Sequence, residues 1–334
     1  MKDKILVTGG AGFIGSHIVD KLCEQGYEVF NIDDLSGGFK RNINPNCRFI
    51  KLDLRNKVKV EKVIKKIKPK YIFYLASCAR EGASQFQPLY VTETNYMAYM
   101  NTLVPAIKYG LKKIVTFSSM SVYGAQQTPF SEEMERKPED IYAISKSAME
   151  RATEILSSVH GFDYVILRPH NVFGERQSME DKFRNVIAIF MNRFLRNEPI
   201  YIYGDGEQKR AFSYIEDSLP CYIRCLSPEI SKEIINIGGK SPVTINNLAY
   251  NIKRWFKFFP ASKSEVVYLP DRPCEVKIAY CTTKKSERLL GYKESVGWSN
   301  GVEEMVSWAK SMGPQKWVTD KMEIVTKAMP KIWR

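Results

Sequence analysis

A tyrosine and a lysine stand four residues apart in the segment YAISK, from Tyr142 to Lys146. At that spacing two side chains of a helix lie on one face, so the lysine ammonium would sit near the phenol. A phenol has an ordinary pKa of about 10, and ionising it near neutral pH requires roughly 4 kcal/mol. A neighbouring cation supplies part of that energy. The pair predicts a tyrosine base, although a core tyrosine followed by a solvent-facing lysine gives the same pattern.

The beginning of the chain predicts a binding site beside this pair. Residues 4 to 7 form an apolar run, TGGAGFIG follows at 8 to 15, and a helical pattern continues from there. A strand, a glycine turn and a helix in this order form the context of a dinucleotide fingerprint. Gly9, Gly12 and Gly15 allow a tight turn and the close approach of a pyrophosphate to the helix N-terminus.

The second predicted strand, residues 28 to 32, ends at two carboxylates, Asp33 and Asp34, about twenty residues after the glycines. A carboxylate at this place accepts hydrogen bonds from the adenosine ribose. Ser-Gly-Gly follows, and the next arginine is Arg41. Because no arginine stands directly after the carboxylates to hold a 2′-phosphate, the sequence favours NAD over NADP.

Strands and helices alternate over the first half of the chain, which predicts a parallel sheet with helices on both faces. Further strands are expected at 48 to 52, 71 to 76 and 112 to 119. We expect an α/β fold with a doubly wound Rossmann sheet over residues 1–178. A smaller substrate-binding α/β domain is expected over 179–334, with segments around 209–240 returning to the Rossmann sheet. Ligands of such sheets bind at the carboxyl ends of the strands, so Ser119 and Tyr142 should converge there.

Taken together, these motifs resemble the extended short-chain dehydrogenase/reductases, in their nucleotide-sugar epimerase and dehydratase branch. The similarity rests on TGGAGFIG, Asp33, Asp53, YLAS, Asn95, SSMSVYG, YAISK and LRPHNVFG (167–174), and continues through IYIYGDGEQKRAFSYIED (200–217), INIGG (235–239) and DRPCEVKIAYC (271–281). Only the segment from Gly313 onwards falls outside it. The chain departs from the family pattern at Ala211, where an aspartate is usual, and at Cys274, where a glycine is usual.

The resemblance implies a catalytic group of Ser119, Tyr142 and Lys146. Ser119 would hydrogen-bond the sugar 4-hydroxyl, Tyr142 would take its proton, and Lys146 would hold the nicotinamide ribose and lower the pKa of the tyrosine. The 4,6-dehydratases carry Asp and Glu directly after the serine, whereas this sequence has Met120 and Ser121. The resemblance therefore favours a 4-epimerase, in which a 4-keto sugar turns over and receives the same hydride on its other face.

Binding residues follow from the same resemblance. Those expected to contact NAD are Gly9, Gly12, Phe13, Ile14, Gly15, Asp33, Asp53, Leu54, Leu75, Ala76, Asn95, Tyr142, Lys146 and Pro169. Those expected to contact the nucleotide sugar are Ser119, Asn171, Tyr201, Tyr203, Arg210, Arg272 and Ala279. The two arginines would clamp the pyrophosphate, because a guanidinium binds phosphate oxygens bidentately. Ala279 stands where related 4-epimerases often carry a tyrosine. Because the smaller side chain leaves room for an N-acetyl group, the substrate is expected to be a UDP-hexose or a UDP-N-acetylhexosamine.

Other functions stay open. One is a different reaction through a 4-keto sugar, namely dehydration, decarboxylation or 2-epimerisation. Another is a non-catalytic NAD-binding sensor or RNA-binding relative, which the intact Ser119, Tyr142 and Lys146 disfavour. Arg80 and Glu81 stand beyond the fourth strand without an assigned role, and His170 is expected to pack against the cofactor.

The amino-acid composition limits the classes of molecule that the chain is expected to bind. The net charge is +13, but the lysines are dispersed along amphipathic segments such as 57 to 70, which predicts solvated helix faces and no nucleic acid partner. Seven cysteines without a Cys-x-x-Cys pair, and three histidines, predict no metal site. No apolar run approaches the ~18 residues of a membrane helix, and a short strand directly follows the first residues, so a cytoplasmic protein without a membrane partner is expected.

Two helices and the C-terminal tail carry apolar residues at helical spacing. The resemblance implies a homodimer, because members of that family commonly pack the helix after Asn95 and the helix of Tyr142 into a four-helix bundle. The apolar positions of both helices are compatible with a core face plus an interface face, and also with a one-sided core. From Gly313 onwards the tail is amphipathic, with Trp317 and Trp333, and is expected to dock on the body of its own chain.

Overall fold

The computed structural model describes residues 3–256, 264–271, 276–318, 321–330 and 333 of the 334-residue chain. Its strands are β1 (Lys4–Thr8), β2 (Glu28–Asp33), β3 (Arg48–Lys51), β4 (Tyr71–Tyr74), β5 (Lys113–Phe117), β6 (Asp163–Pro169), β7 (Val172–Phe173), β8 (Ile200–Tyr203), β9 (Lys209–Arg210), β10 (Ser213–Tyr214), β11 (Glu233–Ile237), β12 (Val243–Thr244), β13 (Val266–Leu269) and β14 (Ile278–Ala279). Its α-helices are α1 (Phe13–Glu24), α2 (Lys57–Ile67), α3 (Glu81–Ser84), α4 (Pro88–Thr92), α5 (Ala98–Lys108), α6 (Ile141–His160), α7 (Val186–Leu195), α8 (Ile215–Arg224), α9 (Ile245–Phe256), α10 (Lys284–Leu290) and α11 (Gly297–Met312).

Seven parallel strands form the central sheet in the order β11, β6, β5, β4, β1, β2, β3. The chain changes direction across the sheet between β3 and β4, so β1 and β4 flank the switch point at which such sheets bind ligands. This confirms the expected doubly wound α/β fold. Strands β4 and β5 end at Tyr74 and Phe117, two residues earlier than the sequence predicts, because the residues that follow leave the sheet towards the site.

Apolar side chains on both faces hold the sheet between helices. Ile5, Leu6 and Val7 of β1 are completely buried, as expected for a parallel strand that is covered on both sides. Val7 packs in the cluster that includes α1, and Leu6 packs in the cluster that includes α2 and α5. Burying a side chain of this size contributes roughly 1.5–3 kcal/mol, so the central strands fix the positions of the loops at their carboxyl ends.

From β7 onwards, three small sheets are found among the described residues, and β7 pairs with β10 in the first of them. Strand β8 pairs with β13, and β9 pairs with both β12 and β14, which places Ala279 opposite Arg210. Between these strands the chain returns to the central sheet, since β11 pairs in parallel with β6. The division into two domains at residue 178 stays a prediction. Within the described ranges, no helix has both the length and the apolar character needed to cross a bilayer.

Candidate active site

Helix α6 brings the Tyr-x-x-x-Lys pair to the end of β5. The helix begins at Ile141, and the Asp140 side chain caps it by accepting a hydrogen bond from the Ala143 amide at 2.7 Å. Both side chains of the pair are buried. The Lys146 ammonium donates to the Phe117 carbonyl at 2.7 Å, and its nitrogen lies 5.6 Å from the centre of the Tyr142 ring. The sequence spacing thus produces the expected proximity.

Burial dominates the electrostatics of the pair in the protein alone. Burial raises the pKa of Tyr142 above its usual value, the nearby Glu81 carboxylate raises it further, and a hydrogen bond with Ser119 lowers it by less. Burial also lowers the pKa of Lys146 to about 7, against a smaller opposing effect of the Glu150 carboxylate. The chain's own groups therefore hold Tyr142 as a neutral phenol. Burial is the largest of these effects and outweighs the groups that lower the pKa of the phenol in the protein alone.

A buried polar network supports the two serines after β5. The Ser119 hydroxyl accepts from the Ser121 amide at 3.1 Å and caps the short 3₁₀ turn Met120–Tyr123. The Ser118 hydroxyl donates to the Glu150 carboxylate at 2.5 Å. Arg168 binds that carboxylate with two hydrogen bonds, at 2.9 and 2.7 Å. Because Glu150 lies one turn after Lys146 on α6, this network fixes the helix against the loop that carries Ser119.

The glycine turn after β1 has the shape of a dinucleotide cradle. Gly9 has a φ of +70°, which an L side chain rarely adopts. A Cβ atom on Gly15 would lie 2.2 Å from the Gly9 carbonyl oxygen, so the turn closes only with glycine there. Helix α1 begins at Phe13, directly after the turn, and directs its N-terminal dipole there. The geometry fits a pyrophosphate.

Asp33 stands at the end of β2, beside the glycine turn. Its carboxylate accepts hydrogen bonds from the amides of Ala11 at 3.0 Å and Leu35 at 2.8 Å. Burial nevertheless raises the pKa of Asp33. A buried carboxylate here, next to the cradle, fits the ribose of an NAD molecule.

The remaining predicted cofactor residues have structural contacts of their own. Asn95 is completely buried, accepts from the Cys78 amide at 2.7 Å and donates to the Ser145 hydroxyl at 3.1 Å, so it joins the end of β4 to α6. Asp53 pairs with Arg55 at 2.8 Å on the surface, and the buried Leu54 follows it. Leu75 and Ala76 both approach Thr8 through their amides, at 3.2 and 3.3 Å from its hydroxyl.

A cavity of about 470 Å³ opens at the carboxyl ends of the strands, which is within the usual range for a ligand pocket. Its lining contains these predicted residues: Phe13, Ile14, Ser119, Tyr142, Pro169, Asn171, Tyr201, Tyr203, Arg210 and Ala279. The Asn171 amide donates to the Ala211 carbonyl at 2.9 Å. Arg272 and Cys274 lie outside the described residues.

Several residues of the lining had no assigned role in the sequence. They are Glu81, Phe86, Lys182, Phe183, Arg184, Arg193, Trp317 and Trp333. Glu81 was visible as a charged residue beyond β4, but the cavity is formed by segments distant in sequence, so its position needed the fold. The Arg193 guanidinium lies 4.4 Å from the centre of the Tyr201 ring, and this stacked cation adds positive charge to the wall.

His170 follows β6 directly and is completely buried. Both of its ring nitrogens lack a hydrogen-bond partner in the part of the chain that is described. Burial lowers the pKa of His170 to about 3, so the imidazole is neutral. It packs tightly against Gly238, where a Cβ atom would lie 2.5 Å from the His170 Cβ. Neither this histidine nor any group of three His, Cys, Asp or Glu residues within the described ranges forms a metal site.

A glycine cradle at β1, a buried aspartate after β2 and a Tyr-x-x-x-Lys pair beside β5 define an extended short-chain dehydrogenase/reductase. The comparison with protein families agrees: the chain belongs to the NAD dependent epimerase/dehydratase family, which matches residues 5–238. The cradle and Asp33 fit the NAD of that family.

Proteins that are similar to this chain catalyse different reactions. A putative UDP-glucose 4-epimerase of Methanocaldococcus jannaschii is 37% identical over 309 residues, which cover 92% of this chain and 98% of the relative. A UDP-N-acetyl-alpha-D-glucosaminuronate decarboxylase of Bacillus cytotoxicus is 27% identical over 327 residues, or 93% of this chain and 99% of the relative. A solved structure, a UDP-N-acetylglucosamine 4-epimerase of Methanobrevibacter ruminantium M1 in complex with UDP-N-acetylmuramic acid, has a TM-score of 0.84 and 32% identity, covering 93% of this chain and all of that one.

Proposed function

We propose that this chain is an NAD-dependent nucleotide-sugar 4-epimerase that acts on a UDP-hexose or a UDP-N-acetylhexosamine. One observation carries the proposal. Tyr142 lines the cavity beside Ser119, while Met120 and Ser121 occupy the adjoining wall, where related dehydratases carry two carboxylates. A wall without those carboxylates favours a reaction in which one base takes a proton and gives it back.

The residue roles follow from their positions. Ser119 holds the sugar 4-hydroxyl, and Tyr142 takes its proton and later returns it. NAD, when bound in the glycine cradle, supplies the acceptor and donor of the C4 hydride. Lys146 is oriented by the Phe117 carbonyl and holds the nicotinamide ribose. Because Tyr142 is neutral in the buried site, the positive charge of Lys146 and of the oxidised nicotinamide must together favour its ionised form.

The cavity lining holds four basic side chains beside the three carboxylates Glu81, Glu139 and Asp140, and the basic side chains support an anionic nucleotide sugar. Arg193 and Arg210 line it together with Lys182, and Tyr201 supplies an aromatic surface for the base. We retain Arg272 as a second pyrophosphate ligand on the family resemblance. Ala279 is buried and borders the cavity, so its small side chain supports the acceptance of an N-acetyl group.

A second function has one observation in its favour. Glu81 lines the same cavity and lies near enough to Tyr142 to raise the pKa of the phenol. A carboxylate in this position is a candidate second base, which the elimination of water from a 4-keto sugar requires; loss of carbon dioxide from a 4-keto uronic acid needs no base, because the 4-keto group accepts the electrons of the broken C–C bond. This alternative includes the dehydratases, the decarboxylases and the 2-epimerases.

We also propose a cytoplasmic homodimer. Along α5 and α6 large apolar side chains stay exposed: Val104 at 51%, Ile144 at 49%, Ile155 at 47% and Val159 at 71%. Packing these two helices against their copies would bury this surface in a four-helix bundle. The six described cysteines form no disulfide with one another, which agrees with a reducing compartment.

An NMR time course of the purified protein with a panel of UDP-sugars tests the function. Without added NAD, a 4-epimerase that retains its cofactor interconverts one pair of C4 epimers. A stable keto sugar or released carbon dioxide would refute simple epimerisation and support the second function. A Tyr142→Phe variant is the control, and we expect its rate to fall by about 10²–10⁴.

A further inference from the structure

The chain that follows α11 lies along one edge of the cavity. We call residues 313–318, 321–330 and 333 the C-terminal strap. It begins at Gly313, where the family resemblance ends. Its backbone pairs with two loops of the cavity rim, through the Val318 amide on the Glu180 carbonyl at 2.9 Å and the Glu323 amide on the Phe86 carbonyl at 2.9 Å.

A side chain of the strap reinforces this attachment. The two oxygens of the Glu323 carboxylate accept from the amides of Leu89 and Tyr90, each at 2.9 Å. The Lys321 carbonyl accepts from the Gln87 side-chain amide at 3.1 Å. The strap is thus held to Phe86, Gln87 and the first turn of α4, and Phe86 forms part of the cavity wall.

The strap ends in an aromatic cluster. The Trp333 ring meets the rings of Phe86 and Phe183 edge to face, with centres 6.0 and 5.1 Å apart. It also covers Gly82, where an added Cβ atom would lie 3.1 Å from the indole. All four residues line the cavity. The indole is half-buried and therefore presents part of its surface to the cavity.

The two tryptophans of the strap line the cavity beside different elements. Trp317 donates to the Glu198 carboxylate at 2.9 Å and lies 5.4 Å from the Arg193 guanidinium, which stacks on Tyr201. Trp333 lies against Gly82, a residue of α3. That helix borders the catalytic tyrosine, because its Ser84 hydroxyl approaches Asp140, the cap of α6, at 3.5 Å.

We infer that Trp333 is a specificity-determining residue, which closes the sugar end of the cavity and packs against the apolar C–H face of the hexose. This inference rests on the proposed function. The ring packs against Phe86 and Phe183, and an indole offers a large apolar area at little entropic cost. The strap thereby gives this chain a sugar-binding wall outside the segment that matches the family.

Three variants test the inference: Trp333→Ala, Trp333→Phe, and Val325→Ala as a control on an exposed strap position. For the nucleotide sugar that the wild type converts, we expect the KM of Trp333→Ala to rise about tenfold, which corresponds to about 1.4 kcal/mol. Trp333→Phe should stay within about threefold, and Val325→Ala should match the wild type. The Kd of free UDP should be the same in all four proteins.

Two results would overturn the inference. One is a KM of Trp333→Ala equal to that of Val325→Ala. The other is an equal weakening of UDP and nucleotide sugar, which would indicate a general loosening of the cavity. Thermal unfolding of each variant checks that the fold is intact, and Trp333→Phe supplies the folded comparison if the alanine variant is unstable.

Failure of the proposed function gives a different result. If the wild type binds UDP but converts no nucleotide sugar, the proposed epimerase activity is refuted. The role of Trp333 in binding the sugar can still be tested. The affinities of UDP-glucose and UDP are then compared in the same proteins, and a loss confined to UDP-glucose in Trp333→Ala supports the inference.

Discussion

The buried lysine should make the protein more stable as the pH rises from about 7 to 8.5. Burial lowers the pKa of Lys146 to about 7 in the folded chain, whereas an unfolded lysine titrates near 10.4. Between these values the unfolded chain holds a proton that the folded chain has released. The free energy of unfolding therefore increases with pH in this range. Integrating over this interval gives an increase of roughly 1.6 kcal/mol from this one group.

The assay is urea unfolding of the protein freed of bound nucleotide, across that pH interval, for the wild type and for Lys146→Met. Methionine has nearly the length of lysine and no charge, so it fits the buried position. Other groups titrate identically in both proteins. Burial raises the pKa of Cys221 to about 12. Such a buried thiol lowers the free energy of unfolding once the pH exceeds the ordinary pKa of a thiol, so the interval ends at about 8.5.

The difference between the two proteins isolates Lys146. We expect the wild type to gain roughly 1.6 kcal/mol more than the variant over the interval. Equal pH slopes would show that Lys146 stays protonated throughout. The lysine would then be a permanent cation beside Tyr142 even without the cofactor, which would contradict the pKa shift by burial.

Three further predictions concern the surroundings of the site. Glu150→Gln should destabilise the fold by about 3–5 kcal/mol in urea unfolding, because it leaves the buried Arg168 without its counter-charge; a loss below ~1 kcal/mol would contradict the buried pair. Ala279→Tyr should abolish turnover of a UDP-linked 2-acetamido sugar and leave turnover of the hexose without that group intact, in an assay of both substrates with the wild type as control. An unchanged substrate preference would contradict the proposed role of Ala279 in accepting the N-acetyl group. Ile155→Arg should give monomers in light scattering, since it puts a charge on the exposed apolar face of α6, whereas Lys57→Ala on α2 should leave the mass unchanged; a dimer of Ile155→Arg would exclude this face.

Local patterns predicted the sheet and the motifs. The apolar run before the glycines, the spacing of Gly9, Gly12 and Gly15, and the four-residue interval of the Tyr-Lys pair are each contained in one short segment. The backbone of that segment alone places the groups relative to one another. This is why the strands and the proximity of Tyr142 to Lys146 agree with the structure.

Features that join distant segments could not be predicted in this way. Asn95 joins Cys78 to α6, and Arg168 reaches Glu150, across separate elements of the sheet. The direction of the Tyr142 pKa depends on how completely the folded chain excludes water, which spacing does not report. The path of the strap to Gly82 depends on surfaces created only by the fold.

The most direct test of the central claim uses the converted UDP-sugar with deuterium in place of hydrogen at C4. In a 4-epimerase the C4 hydride leaves and returns to the same carbon, within one closed cavity. We predict that NMR finds the full deuterium label at C4 of both epimers after equilibration in ordinary water. Deuterium at another carbon of the product, or lost to solvent, would contradict the claim.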